Sequence, residues 1–289
     1  MNLIILGIKA SLVMTVLALG LTASAREATS VVRRPSRLVR SLTAMMLVVP
    51  ALTLVLAHAL TLRPAVKIAL VALSLSPVPP FWPRTARKAG GEESYTIGLL
   101  VATTLISIVY IPAALDAIGR ILSLPLTMSA RTVGKLVAVS MLLPLFAGIG
   151  IRKLAPHFAA RVAKPVGVSA SLLLVATVIP MLWKGLPLVV SLVGDGTLLA
   201  MLGVAGIALG AGHLAAGAEQ DERSVLALAC ASRHPAIAAA IAHVNFPNQR
   251  LVPATILLYL LVSFAASAPY IKWSKRHAAR RHKPAMATR

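Results

Sequence analysis

Long apolar runs alternate with short polar connections along the whole chain. Each run has about 18 to 25 residues, the length that a helix needs to cross a hydrocarbon core of about 30 Å. Only helices and closed barrels satisfy every backbone polar group in lipid, and a barrel would show short alternating segments rather than continuous runs. The pattern therefore predicts an all-α membrane protein with about nine transmembrane helices, at 3–22, 41–61, 65–90, 94–115, 133–152, 166–186, 196–217, 223–244 and 251–271.

The composition excludes an ordinary soluble domain and most enzyme classes. Of the 289 residues, 58% are hydrophobic and only 13% are charged, whereas a soluble domain carries about 25% charged residues. The single cysteine, Cys230, excludes an intramolecular disulfide and a paired-cysteine redox site. The chain has no metalloprotease, nucleophile-elbow, phosphate-loop or dinucleotide motif. The sequence therefore predicts that the protein is not an enzyme and has no cofactor.

The net charge is +21, from 29 Lys and Arg against 8 Asp and Glu. Nucleic-acid binding is one interpretation of such a charge, and positive cytoplasmic loops are the other. With the N-terminus placed outside, twenty basic residues fall in cytoplasmic connections and seven in outer ones. This bias predicts a cytoplasmic C-terminus and no nucleic-acid partner. The basic tail at 272–289 is expected to lie in the cytoplasm and to contact anionic lipid headgroups.

The chain divides into two similar halves. Residues 116–132 are too polar to span, which predicts a linker between a first repeat of four spans at 1–115 and a second repeat of five spans at 133–271. Prolines interrupt the penultimate helix of each half, near 76–83 and near 232–235. Paired interruptions of this kind indicate inverted repeats with the transport site between the broken helices.

The segment 221–273 resembles the last two helices of the bile acid:sodium symporter family, and 76–96 stands where that family breaks its first crossing helix. The resemblance implies a core that holds two broken, crossing helices and a panel that rocks against this core. It also implies that the protein takes up an organic anion together with sodium by alternating access. Together with the short loops, it predicts a multi-pass protein of the bacterial inner membrane.

The chain departs from that family where the resemblance implies sodium ligands. The family's acidic ligand falls at Ala229, and its Gln-Asn pair falls at Arg233 and His234. The family's Ser-Asn pair falls near Trp82, while Thr96 keeps the expected hydroxyl. Sodium is a hard cation that needs several oxygen ligands, and a fixed guanidinium repels it. The usual sodium ligands are therefore expected to be lost, so that bound sodium would need oxygen ligands elsewhere.

Arg233 is a charged side chain deep in a predicted span, where it costs at least about 2.5–3.5 kcal/mol. Three roles are open for it: a tethered charge in place of sodium, a bidentate partner for an anionic cargo, or a donor to carbonyls that Pro235 leaves unpaired. No acidic residue lies inside a predicted span to neutralise it. His234 could couple transport to protons or could be satisfied by the backbone.

Together these observations predict a secondary active transporter of a small organic anion, with sodium coupling in question. The predicted substrate site comprises Arg233, His234, Ser232, Ser76, Thr96 and Trp82, and no metal ligand is predicted. The alternative is a membrane sensor or scaffold that retains the transporter fold without accumulating cargo. A passive uniporter, which would show flux without accumulation, is a third possibility.

Overall fold

The computed structural model describes residues 2–281, and every regular element in that range is a helix. The first half contains α1 (Asn2–Thr22), α2 (Ala25–Ala28), α3 (Pro35–Ala59), α4 (Pro64–Leu75), α5 (Trp82–Lys88) and α6 (Glu93–Leu122), with a 3₁₀ turn at Ser30–Arg33. The second half contains α7 (Ala130–Leu154), α8 (Pro156–Ser191), α9 (Thr197–Ala215), α10 (Gln220–Ala231), α11 (Pro235–Asn245) and α12 (Val252–Arg281).

Seven helical segments in the described range are long and apolar enough to cross a membrane. They lie in α3, α6, α7, α8, α9, the α10–α11 pair and α12. Two shorter apolar helices, Leu6–Thr22 and Pro64–Leu75, coincide with the first and third predicted spans. The all-helical, multi-pass membrane class is therefore confirmed, while nine spans in inverted repeats remain a prediction.

α1 packs along α8 and against the C-terminal half of α7. Glycines allow the α1 and α7 backbones to touch at their crossing. A Cβ on Gly20 would lie 2.3 Å from the Leu145 carbonyl oxygen, and a Cβ on Gly148 would lie 2.6 Å from the Leu17 carbonyl oxygen. Small residues are typical of such contacts because membrane helices associate by close packing rather than by the hydrophobic effect. We refer to these three helices as the α1–α7–α8 group.

The remaining long helices surround the two places where helices are interrupted. α4 packs against α11 and α12, and α10 packs against α9 and α12. α5 contacts both α6 and α10. The chain segments at 76–81 and 232–234, which separate α4 from α5 and α10 from α11, are therefore enclosed by helices on several sides.

Three boundaries differ from the sequence-based prediction. The expected linker at 116–132 is helical at both ends, and only residues 123–129 are non-helical. α6 continues to Leu122, and an exposed i,i+4 ion pair of 3.0 Å between Asp116 and Arg120 lies in this extension. It ends at Ser123, whose positive φ of 53° caps the helix.

The expected connection between the spans at 133–152 and 166–186 is also mostly helical. α8 begins at Pro156, where a proline at the first helical position is already set for the helix, and it continues through Pro165. Arg161 and Lys164, which were expected in a loop, therefore lie on a helix. The start of the expected basic tail, 272–281, extends α12, and 282–289 lie outside the described residues.

Candidate functional site

The first interruption follows directly from its prolines. α4 ends at Leu75, and Pro77, Pro79 and Pro80 have no amide with which to continue a helical ladder. The Ser76 hydroxyl donates to the Leu73 carbonyl at 2.8 Å, which satisfies one of the carbonyls at the end of α4. The chain becomes helical again only at α5.

The second interruption leaves the carbonyl end of α10 inside the protein. The Ala231 carbonyl accepts hydrogen bonds from the Ser263 hydroxyl at 3.0 Å and the Tyr259 hydroxyl at 3.4 Å, both on α12. α11 then begins at Pro235, where the missing amide costs nothing. Polar groups of α12 therefore replace the helical partner that the break removes.

Backbone hydrogen bonds join the two interruptions to each other. The His234 amide donates to the Pro77 carbonyl at 2.9 Å and also lies 3.0 Å from the Ser76 hydroxyl. One Arg233 terminal nitrogen, Nη1, donates to the Ser76 carbonyl at 3.2 Å. Residues 157 or 158 positions apart in the sequence thus meet in one buried cluster, which we call the crossing.

Arg233 also reaches α3, where a π-helical turn at Thr43–Val48 exposes a carbonyl. In that turn the Val49 amide bonds the Ala44 carbonyl instead of the Met45 carbonyl. The freed Met45 carbonyl accepts from Arg233 Nη2 at 3.1 Å. π-turns are frequent at functional sites, and here the turn supplies a carbonyl ligand for the guanidinium.

Pro50 extends the same pattern by one residue. It has no amide for the Met46 carbonyl, which instead accepts from the Tyr110 hydroxyl of α6 at 2.5 Å. α3 is therefore bound to the crossing by Arg233 and to α6 by Tyr110. The side chains of Arg233 and Tyr110 thus donate to the two carbonyls that lack a helical partner in this turn.

The carbonyl partners of Arg233 are not those that Pro235 leaves unpaired, because the Ala231 carbonyl is bonded by Ser263 and Tyr259. The role of Arg233 therefore stays a prediction. The side chain is 3% exposed, and among the described residues no carboxylate pairs with it. Its Nε has no hydrogen-bond partner in this part of the chain, nor does either ring nitrogen of His234. The crossing therefore holds a buried positive charge whose observed partners are neutral carbonyl groups.

The structure brings together only some of the predicted site residues. Ser76, Arg233 and His234 share the crossing. Thr96 is buried and donates to the Glu92 carbonyl of its own helix at 2.7 Å, and Ser232 is half-buried. Trp82 is fully buried, and its indole nitrogen has no partner among the described residues.

A crevice of about 570 Å³ lies between α1 and α8 on one side and the start of α5 on the other. Three basic side chains line it, Arg84, Arg87 and Lys164, and none of the described lining residues is acidic. Arg84 spans the crevice and donates to the Ser171 hydroxyl at 2.6 Å and the Gly167 carbonyl at 3.2 Å. Sequence reasoning missed these residues because it placed them in cytoplasmic connections.

Sequence reasoning also missed a buried ion cluster, which lies at the N-terminal end of α6. Arg37, in the first turns of α3, bonds Glu92 at 2.8 Å and also bonds Glu222 of α10. Its guanidinium lies 4.8 Å from the centre of the Tyr95 ring, a cation–π contact. The chain has only 8 acidic residues, and Glu92 and Glu222 stand at the starts of α6 and α10. These two rare carboxylates were the available signal.

Several interactions act on the pKa of Glu92, which precedes α6. Burial by itself raises the pKa of this carboxyl. Hydrogen bonds from Ser94 and Arg37, with the positive charges of Arg37 and Arg34, outweigh burial and hold the pKa below its ordinary value. The carboxylate is therefore charged at neutral pH and holds α3 to α6.

Two interrupted helices that meet inside a multi-pass bundle, near a crevice lined by basic side chains, are typical of membrane transporters. The model of the sodium bile acid symporter family matches residues 10–192, more than half of the chain. The chain therefore belongs to the sodium bile acid symporter family. The match includes the first interruption and the crevice and ends before Arg233. No curated protein matches the chain significantly.

Proposed function

We propose that the protein is a secondary transporter that moves a small organic anion by alternating access, without sodium as the coupling ion. The single observation that carries the anion assignment is the charge of the crevice. Arg84, Arg87 and Lys164 line it, while its described residues provide no carboxylate. A volume of about 570 Å³ is within the range of small-molecule sites.

Arg84 and Lys164 are the side chains proposed to contact the cargo. Arg87 lies 3.5 Å from Glu93, so part of its charge is already balanced. Arg84 and Lys164 have no acidic partner among the described residues, and they come from opposite walls of the crevice. A guanidinium and an ammonium that line the same crevice favour a carboxylate, sulfonate or phosphate group.

The contacts of Arg84 support a movement between the two walls. Its bonds to Ser171 and Gly167 fasten α5 to the α1–α7–α8 group on this side. The backbone bonds of the crossing, in contrast, hold the two interrupted helices together. Opening the crevice would break the Arg84 bonds and leave the crossing intact, as expected when a panel rocks against a core.

Arg233 is proposed as a fixed cation that takes the place of sodium at the crossing. Its guanidinium binds the carbonyls of Ser76 and Met45, which are hard oxygen ligands of the kind that alkali cations use. A second cation there would be repelled by the guanidinium. Ser232, Thr96 and Trp82 remain predicted neighbours of the cargo pathway.

The test is uptake of labelled organic anions into proteoliposomes, with and without a sodium gradient, at pH 6 and pH 8. We expect accumulation that is independent of sodium and reduced at least about tenfold by Lys164→Gln. Arg161→Gln is the matched control, because Arg161 is exposed on the same helix outside the crevice. Wild-type uptake that requires sodium would contradict the assignment of Arg233.

The same assay separates the other two functions. A sensor or scaffold would accumulate no compound from a broad panel, although the protein is folded. A passive uniporter would equilibrate the anion across the membrane without concentrating it. Equal loss of uptake in Lys164→Gln and Arg161→Gln would place the cargo outside the crevice.

A further inference from the structure

A second basic pocket lies outside the crevice, at the end of the bundle where α6 begins. Its volume is about 340 Å³, and four arginines line it: Arg26, Arg33, Arg34 and Arg37. Three of them belong to the segment that connects α1 to α3, residues 24–34, which we call the strap. None of the residues that form the crossing lines this pocket.

The strap is a built structure and not a loose loop. Ser24 and Glu27 form a reciprocal capping box that starts α2, and a 3₁₀ turn follows. The Ser30 hydroxyl donates to the Ser94 carbonyl at 2.6 Å, which attaches the strap to α6. Because its backbone is held in this way, the strap presents its arginines from fixed positions.

Gly98 of α6 allows this attachment. A Cβ at Gly98 would lie 2.6 Å from the Ser30 hydroxyl oxygen and 3.0 Å from the Val31 nitrogen. The first distance is shorter than real Cβ contacts and the second is tight, so a side chain at this position would force the strap to shift. The contact brings Arg33 and Arg34 to the rim of the pocket.

Among the described residues, Glu92 pairs with Arg37, but neither acidic side chain of the pocket pairs with an arginine of the strap. Glu27 accepts from the Ser24 amide at 2.6 Å and from the Ser24 hydroxyl at 2.7 Å within the capping box. Glu92 bonds Arg37 and the Ser94 hydroxyl. Within residues 2–281, Arg26, Arg33 and Arg34 have no ion pair.

We propose that this pocket binds a phosphate group, either of an anionic lipid headgroup or of a soluble phosphate compound. Three guanidinium groups offer forked donors to the several oxygens of a phosphate, whereas a carboxylate has only two oxygens to accept them. The small volume fits a headgroup rather than a large cargo. The strap and Arg37 lie on the predicted cytoplasmic side of the protein, where anionic headgroups are found.

Bound phosphate would strengthen the attachment of α3 to α6. Arg37 lines the pocket and holds Glu92 and Glu222 at the same time. A phosphate bridging the strap and Arg37 would add a contact between the strap and α3 to the bonds that already hold each of them to α6. Ligand binding to the folded state alone raises the unfolding temperature.

The test measures binding of two probes to the purified full chain. Sodium pyrophosphate is the soluble probe, added to protein in detergent at constant ionic strength. Nanodiscs of phosphatidylglycerol in phosphatidylcholine, compared with phosphatidylcholine alone, are the lipid probe. We expect a saturable rise of the unfolding temperature with at least one probe, and the responding probe identifies the source of the phosphate.

The double variant Arg33→Gln, Arg34→Gln should bind at least about tenfold more weakly. Its control is Arg131→Gln, Arg161→Gln, which removes the same charge from exposed positions outside the pocket. If the double variant does not fold, Arg26→Gln replaces it, because Arg26 is exposed on α2. Equal weakening in the control, or no response to either probe, would overturn the proposal.

Lys164→Gln separates this pocket from the crevice. Pyrophosphate is an anion and could enter the crevice, so binding there would weaken in Lys164→Gln. If binding survives in Lys164→Gln and is lost in Arg33→Gln, Arg34→Gln, the strap pocket holds the phosphate. The reverse result would assign the probe to the crevice and contradict the strap site, whatever the outcome of the uptake assay.

Discussion

The His234 amide donates to the Pro77 carbonyl at 2.9 Å, and this bond joins the two interrupted helices. Both groups are free to form this bond because prolines interrupt the helices beside them. Pro77 and its neighbours free the carbonyls of the first interruption, and Pro235 leaves the His234 amide outside α11. The two breaks thus satisfy each other, which is how irregular backbone is tolerated inside a membrane protein.

Replacing Arg233 should destabilise the crossing. Arg233→Met leaves the Ser76 and Met45 carbonyls without their donors, and an unpaired buried polar group costs about 1–3 kcal/mol. Arg233→Lys should be intermediate, because one ammonium reaches fewer carbonyls than the guanidinium. Thermal unfolding in detergent checks this, with exposed Arg161→Met as the control. Unchanged stability in Arg233→Met would show that the carbonyl contacts contribute little.

Removing the charge of Glu222 should lower the stability of the fold more than replacing Arg233 does. Arg37 and Glu222 are both about nine-tenths buried, and breaking a buried ion pair costs about 3–5 kcal/mol. Glu222→Gln is therefore expected to lower the unfolding temperature clearly. The exposed pair Arg63 and Asp195 is the control, since Asp195→Asn should cost no more than about 1 kcal/mol. Similar losses in the two variants would contradict this difference in burial.

The contribution of Glu92 should depend on pH. Its pKa is lowered in the folded protein, so its stabilising effect is present above the unfolded pKa of about 4.3 and is lost as the pH falls through the folded pKa. The unfolding temperatures of wild type and Glu92→Gln should differ at pH 7 and converge as the pH falls through the lowered folded pKa of Glu92. A difference that stays constant from pH 7 to pH 3 would argue against an ionised Glu92.

The contact between α1 and α7 should reject a side chain at Gly148. A Cβ there would lie 2.6 Å from the Leu17 carbonyl oxygen, so Gly148→Val must push the helices apart at a cost of about 1–3 kcal/mol. Gly206 on α9 has nothing within 4 Å of its Cβ position, which makes Gly206→Val a matched control. Unfolding in detergent compares the stabilities of the two variants. Equal losses would mean that the change in helix propensity, and not close packing, determines the loss of stability.

Length and hydrophobicity alone determined the class of this protein. Continuous apolar runs require helices because lipid offers no partner for the backbone, and the family match agrees with the resemblance drawn from 76–96 and 221–273. The proline cluster at 77–83 and the single Pro235 likewise predicted where α4 and α10 end. These features are local, so they can be inferred without knowing which helices touch.

Only the tertiary structure showed which groups the charged residues contact. Arg84 and Lys164 looked like cytoplasmic loop charges until the packing of α8 placed them across one crevice. Arg233 met the Met45 carbonyl only because a π-turn 188 residues earlier in the chain freed it. Such partners are distant in sequence, and hydropathy contains no information about which helix faces which. The charge of a residue can be read from the chain, but its partner depends on the packing.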